Sequence, residues 1–267
     1  MKLTLCGTAA GPFTAQRASS GYILQSEDHT IMLDCGPGAI RQALCLGIDL
    51  QSIDAVVLSH LHEDHYLDLA SIAFQAMYGR YERLPLLLGP PGTRETGERL
   101  MTMHRPNAHL PPLEVSEIDD AGERDVAGFA VLSRETPHAP ELRAFSRRFS
   151  SGGRSLVFSG DTHANPDLMS EIAAGTDLLL HECYSPAGLE RYAALRRPEA
   201  RQRVLERLPI THSEVSEVAR IARDTGVPRL VLTHILPTEY EDDLLSIASQ
   251  FYKGETIIAR DGLSLEI

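Results

Sequence analysis

Apolar residues in this chain come in short runs broken by Gly, Pro, Ser and Asp, and their period changes along the sequence. Leu3–Cys6, Tyr22–Gln25 and Thr30–Asp34 are β-branched or apolar stretches between turn residues, the pattern of short strands. A helix is expected from Pro37, an acceptable first-turn proline, through Ile40, Ala43 and Leu44 at helical spacing to a stop near Gly47. Ile53–Leu58 then reads as a buried strand, Asp68–Tyr78 as a helix, and Leu84–Leu88 as a strand halted by Gly89-Pro90-Pro91-Gly92. A helical piece near Thr93–His104 follows, and several strands are predicted between about Leu113 and Phe158. A second series runs from a strand at Ser155–Phe158 through a helix at Pro166–Ala174 to a strand at Asp177–Leu180. It continues with a long polar helical region, a helix at Glu214–Arg223 and a strand at Leu230–Leu232. Alternating strands and helices favour a layered α/β fold. With no low-complexity linker, the expectation is a single domain over 1–267 made of two α/β halves, about 1–135 and 136–267.

Four apolar runs stop on side chains that bind metals or carry protons: Val56-Val57-Leu58-Ser59-His60, Leu156-Val157-Phe158-Ser159-Gly160-Asp161, Leu178-Leu179-Leu180-His181-Glu182 and Leu230-Val231-Leu232-Thr233-His234. If these strands are parallel neighbours, their carboxyl ends share the edge where open α/β sheets place their sites. The densest cluster is His60-Leu61-His62-Glu63-Asp64-His65. On an extended loop His60 and His62 point the same way, and a turn into the next helix brings Asp64 and His65 to a second point nearby. Imidazole with carboxylate suits zinc, and also iron or manganese. The spacing is not His-Glu-x-x-His, so the helical zinc-protease arrangement is rejected. His29, His104 and His109 stand alone and are read as surface or hydrogen-bonded residues.

Composition narrows the class. The chain has 267 residues, 43% hydrophobic and 23% charged, as expected of an ordinary soluble globular protein. A net charge of −12 opposes general affinity for polyanions but leaves room for a local basic patch. The start MKLTLCGTAA lacks the apolar stretch of a signal sequence and no later run approaches a membrane span, so a cytoplasmic protein with no membrane partner is expected. Cys6, Cys35, Cys45 and Cys183 are scattered, without the spacing of a disulfide framework or a thiolate zinc knot.

The string His60-x-His62-x-Asp64-His65 resembles the signature of the metallo-β-lactamase superfamily, and the surrounding chain resembles its ribonuclease Z branch. The likeness extends through Gly7-Thr8-Ala9-Ala10-Gly11, Arg17-Ala18-Ser19-Ser20, Asp34-Cys35-Gly36-Pro37-Gly38 and Gly89-Pro90-Pro91-Gly92. It goes on in Thr136-Pro137-His138, Ser159-Gly160-Asp161-Thr162, His181-Glu182, Thr211-His212-Ser213 and Leu232-Thr233-His234. The resemblance implies an α/β (α+β) four-layer αβ/βα sandwich of two mixed sheets flanked by helices. It also implies two Zn²⁺ per chain, or Mn²⁺ or Fe: one held by His60, His62 and His138, the other by Asp64, His65 and His234, with Asp161 between them. Such a pair, about 3.5–4 Å apart, can hold a hydroxide at neutral pH. Asp34 matches a position that orients a ligand imidazole, against the plainer reading of a turn-forming Asp. Asp64, Glu182 and His212 are the residues expected to act in catalysis, the last two as the proton-donating pair of family nucleases. Independently, Thr211-x-x-Glu214 is a capping-box pattern that would put His212 in the first turn of a helix. His181, beside Glu182, is an alternative polar group that sequence does not separate from it.

Two departures bear on substrate. Branch members that process transfer RNA carry a long arm between the positions matching His138 and Asp161, and here only Ala139–Gly160 intervene. Glu63 and Asp68 replace small residues of those members, which adds negative charge if both face the cleft. Against this, Arg143, Arg147, Arg148 and Arg154 follow His138, and Arg191, Arg196, Arg197, Arg201, Arg203 and Arg207 crowd the segment 184–209. Arg forks suit phosphate or sulfate, while a solvated helix face is the plainer reading; that segment is expected to be a lid or a dimer contact. The expected activity is therefore hydrolysis of a small or single-stranded anionic phosphodiester. The alternatives are tRNA 3′ processing, which the missing arm disfavours, and arylsulfatase, lactonase or β-lactamase chemistry. An iron oxygenase and a non-enzymatic metal-binding module rank last.

Overall fold

The computed structural model describes residues 1–102, 110–119, 122–238 and 241–267. His104 and His109, and the end of the helix expected at Thr93–His104, lie outside the described residues. The first half runs β1 (Lys2–Gly7), β2 (Gly21–Gln25), β3 (Thr30–Leu33), α1 (Ala39–Cys45), β4 (Ala55–Val57), α2 (Glu63–Tyr66), α3 (Leu69–Met77), β5 (Leu86–Gly89), α4 (Thr93–Thr102) and β6 (Val115–Glu117). The second runs β7 (Gly122–Val126), β8 (Phe129–Thr136), β9 (Ala144–Ser151), β10 (Arg154–Phe158), α5 (Pro166–Ala173), β11 (Leu178–Tyr184), α6 (Pro186–Ala194), α7 (Pro198–Thr211), α8 (Val215–Thr225), β12 (Arg229–Leu236), α9 (Leu244–Phe251), β13 (Glu255–Ile258) and β14 (Ser264–Glu266).

Among the described residues these make two mixed seven-stranded sheets, ordered β14-β1-β2-β3-β4-β5-β6 and β13-β12-β11-β10-β9-β8-β7. The central strands, β1–β5 of the first sheet and β10–β12 of the second, are buried on both faces, which is why their sequences read as continuous apolar runs. Leu3, Leu5, Leu24, Ile31, Leu33 and Val57 face the other sheet, where they meet Phe129, Phe149, Leu156 and Leu180. The alternate residues Cys6, Ile23, Met32 and Val56 face the helical layer, against Ile40 and Ile72. The second sheet is covered by α5, α8 and α9; α8 presents Val215, Val218, Ala219 and Ala222, an apolar stripe at helical period. Each fully buried aliphatic side chain contributes about 1.5–3 kcal/mol.

The change of sheet falls between Glu117 and Gly122, earlier than the point near 135 expected for the two halves, and β14 returns to pair with β1 in the first sheet. Two strands outrun their expected ends. β11 continues past His181-Glu182 to Tyr184, and β12 continues past His234 to Leu236, because the two stay paired beyond these residues. The long polar region is two helices, α6 and α7, each with proline in its first turn. β3, β4 and β5 are parallel, as are β10, β11 and β12, so their carboxyl ends collect polar side chains at one edge of the sandwich.

Candidate metal centre

The site begins at the end of β3. Asp34 is fully buried and adopts a left-handed backbone conformation, φ 53°. Its Oδ1 accepts the Ser59 N–H at 2.7 Å; its Oδ2 accepts the hydroxyls of Ser20 at 2.9 Å and Ser59 at 3.0 Å, and lies 2.7 Å from His65 Nδ1. With Nδ1–H donating to that carboxylate, the lone pair of His65 is on Nε2, a buried atom without a hydrogen-bond partner. The backbone of Gly36 packs so closely on the next segment that a Cβ there would sit 2.0 Å from the Asp64 carbonyl oxygen. The Asp34-Cys35-Gly36 turn and the His60–His65 loop are thereby held together.

His60 follows β4, and α2 starts after His62, which turns Asp64 and His65 to the same edge. His60 Nε2 lies 3.0 Å and His138 Nε2 3.2 Å from His62 Nδ1. His138 donates from Nδ1 to the Thr211 carbonyl at 2.8 Å, so its Nε2 also carries a lone pair. Asp161, at the end of β10, stands between the two groups of imidazoles. Its Oδ2 is 3.4 Å from His65 Nε2, 3.8 Å from His60 Nε2 and 3.9 Å from His138 Nε2, while its Oδ1 is 3.3 Å from His234 Nδ1. Asp64 Oδ2 accepts the Gly11 N–H at 2.8 Å and lies 3.4 Å from His234 Nε2. His234 arrives by a bulge: Glu182 pairs with Thr233 and Cys183 with Ile235, so His234 is the unpaired residue, at φ 42°.

The donor set fits cations. His60, His62, His138 and Asp161 bring ligand atoms to one point, and Asp64, His65 and His234 to a second. Imidazole nitrogens this close, with buried His65 Nε2, Asp161 Oδ1 and His234 Nδ1 lacking hydrogen-bond partners, leave lone pairs facing one another that a cation would satisfy. Burial drives His60, His62 and His138 below the ordinary imidazole range, which keeps them in the neutral form that binds metals. Burial acts the same way on His65, but Asp161, Asp64 and Asp34 outweigh it and raise that ring. Desolvation would raise Asp64 and Asp161; neighbouring His65 and His234 hold both well below the usual carboxylate range.

Glu182 is buried at the same edge. Its Oε1 accepts the Thr162 N–H at 2.9 Å and lies 3.0 Å from His212 Nδ1. Burial, with Asp161 adding to it, pushes Glu182 up; burial pushes His212 down. Successive strand residues face opposite ways, which resolves the ambiguity with His181: Glu182 turns to the site, while His181 Nδ1 is bound to the Glu182 carbonyl at 2.7 Å. A cavity of about 530 Å³ opens beside His62, His138 and His212, and α6 and α7 form its far wall.

Two expectations need correction. His212 does not begin a helix: α7 runs on to Thr211, whose hydroxyl donates back to the Arg207 carbonyl, and α8 starts only after Glu214, so no capping box forms. Asp68 does not face the cleft. Its Oδ2 accepts the N–H groups of Gly38 at 3.1 Å and Ile40 at 2.9 Å at the start of α1, and its Oδ1 accepts the Ser71 hydroxyl. The arginines after His138 are engaged elsewhere: Arg143 with Glu135, buried Arg147 with the Leu58 carbonyl, Arg148 with the Ala174 carbonyl and Arg154 with Asp177. Of the second group, Arg196, Arg203 and Arg207 line the cavity. β9 and β10 form a hairpin closed by Gly152 and Gly153, both at positive φ, so no arm projects between His138 and Asp161. Ser59 escaped notice in the sequence although it precedes His60; its hydroxyl touches Asp34, His60 and His65.

Comparison with known proteins gives consistent relatives. The family described as "Beta-lactamase superfamily domain" matches residues 29–235. Ribonuclease Z of Mycobacterium marinum (strain ATCC BAA-535 / M) is 28% identical over 284 residues, covering 100% of this chain and 99% of the relative. Ribonuclease Z of Mycobacterium sp. (strain KMS) is 31% identical over 250 residues, covering 89% and 85%. Among solved structures, the metallo-beta-lactamase fold protein YhfI from Bacillus subtilis superposes with a TM-score of 0.78 at 24% identity, covering 99% of this chain and 98% of that one.

Proposed function

The chain belongs to the β-lactamase superfamily, in its ribonuclease Z-like branch, and is a metal-dependent hydrolase; from that premise we propose that it cleaves phosphodiester bonds in a single-stranded nucleic-acid end. The observation that carries the reading is the Glu182–His212 contact of 3.0 Å at the rim of the cavity. An alkoxide leaving group needs a proton, and this pair is built to deliver one. Glu182 Oε1 accepts His212 Nδ1–H and fixes the ring; Nε2 donates to a departing oxygen only when the ring carries both protons, a form that burial opposes and nearby Asp161 and Asp64 favour. We assign His60, His62, His138 and Asp161 to one Zn²⁺ and Asp64, His65, His234 and Asp161 to a second, with Asp34 fixing the His65 ring. When bound, such a pair supplies Lewis acidity and a water that is nucleophilic near neutral pH.

The relatives' names favour a tRNA 3′-processing substrate over the small ester expected from the sequence. One of the two charges held against tRNA is also withdrawn, because Asp68 caps α1. A small diester is the second reading, favoured by the short β9–β10 hairpin. The test is turnover of zinc-loaded protein on a precursor tRNA with a 3′ trailer and on bis-p-nitrophenyl phosphate. Loss of turnover on chelation is expected; no metal-dependent turnover of either compound refutes the proposal. Replacing His212 by Ala should cost about 10²–10⁴ in kcat on RNA. It should cost far less on the p-nitrophenyl ester, whose leaving group departs unprotonated.

A further inference from the structure

The hairpin of α6 and α7 carries positive charge that the metal centre does not use. On α7, Arg203, Val204, Arg207, Leu208 and Thr211 line the cavity, the stripe that a 3.6-residue period puts on one face. The end of that stripe is tied to the site, because the Thr211 carbonyl accepts His138 Nδ1–H and His212 follows directly. At 1.5 Å per residue, Arg207 and Arg203 stand about 6 and 12 Å along the axis from Thr211. Lining the same cavity, the Arg196 guanidinium lies 4.0 Å from the centre of the Tyr192 ring. Arg207 has one exposed contact with Glu141 at 3.8 Å, a geometry that contributes little, and Arg203 has no carboxylate partner among the described residues. Arg191, Arg197 and Arg201 do not line the cavity. In a chain of net charge −12, three arginines with so little neutralisation around one cavity are a local feature that opposes the global charge.

We propose that Arg203 and Arg207, with Arg196 and Tyr192, form a subsite for a further phosphate and its base, so that the substrate is a nucleotidyl ester with at least one phosphate beyond the scissile one. This rests on the phosphodiesterase reading and narrows it. Arg forks match phosphate oxygens, and the Tyr192–Arg196 pair offers a planar surface for a base. The chemistry is shared by a single-stranded RNA end and by a nucleoside diphosphate.

Fluorescence anisotropy of a labelled, uncleavable all-phosphorothioate hexanucleotide on the metal-loaded protein tests the subsite without any turnover. Arg203→Ala/Arg207→Ala should weaken binding at least tenfold and reduce the slope of log K against log salt by about 1.4, two single-strand contacts' worth. Arg203→Lys/Arg207→Lys should keep most of that slope, which separates lost charge from a damaged fold. The alanine pair should also lower the ratio of kcat/KM on an oligonucleotide to that on bis-p-nitrophenyl phosphate at least tenfold. Displacement of the probe by ADP would support the subsite and identify a nucleotide as sufficient, while displacement only by oligonucleotide would support it and identify a strand. The proposal is overturned if the wild-type protein does not bind the labelled hexanucleotide, if affinity and slope do not move in the alanine pair, or if both substrates lose the same factor. Failure of turnover with intact, arginine-dependent binding would count against the hydrolase reading alone.

Discussion

His65 shows how much of this site is set one side chain away from any ligand. Its Nδ1 is held by Asp34 at 2.7 Å and its Nε2 points at Asp161, so the orientation of the ring depends on a carboxylate that touches no substrate. Asp34→Ala should therefore reduce zinc affinity about 10–100-fold, read by competition with a chromogenic chelator. An unchanged affinity would reduce Asp34 to a turn residue. His181 offers a pH experiment away from the metal residues. Burial lowers it from 6.5 to about 4, so between those values the unfolded chain takes up a proton that the folded chain refuses. Stability from this group is complete above pH 6.5 and declines as pH falls toward 4, by at most about 3 kcal/mol. Urea unfolding at pH 7 and pH 5 should show a smaller drop for His181→Gln than for the wild-type protein. Parallel losses in both would refute the assignment.

At the scale of elements, apolar runs and helical spacing were legible and most of the expected strands and helices exist, with ends shifted by a few residues. The errors have local causes. β11 and β12 run past their polar residues because strand pairing continues, and His234 reaches the site only by being left out of that pairing. The pattern Thr211-x-x-Glu214 looks like a helix start, yet Thr211 bonds backward to Arg207 and closes α7 instead. Six arginines in 184–209 could not be sorted from sequence, because the phase of α7 against the cavity depends on where its end is anchored. α8 is the clear success, with its apolar stripe packed on β11 and β12. Ile221→Ala, deep in that layer, should cost about 2–5 kcal/mol in urea unfolding. It should leave kcat within a factor of two, since α8 places no side chain in the cavity.

Over the whole molecule, we infer a single unit, because β14 carries the end of the chain back to β1 and one apolar core joins both sheets. No helix among the described residues is long and apolar enough to cross a membrane. The seven converging His and Asp side chains come from both halves, so metal bound among them should stabilise the whole: about 2.7 kcal/mol at a free-metal concentration one hundred times Kd. Chelation should then lower the melting temperature in calorimetry, and added zinc should restore it; an unmoved transition would mean the metals do not hold the halves together. The sequence alone determined the layered α/β class, the His60–His65 cluster with Asp161 and His234 at other strand ends, and the shortness of the hairpin after His138, since each is written in local period, residue chemistry or length; His138 entered only through the family resemblance. Which way Asp68 turns, which neighbour of the His181-Glu182 pair meets His212, and which arginines face the cavity were decided only by tertiary structure. Those outcomes depend on pairing register, helix phase and contacts between residues far apart in the chain, none of which leaves a local mark.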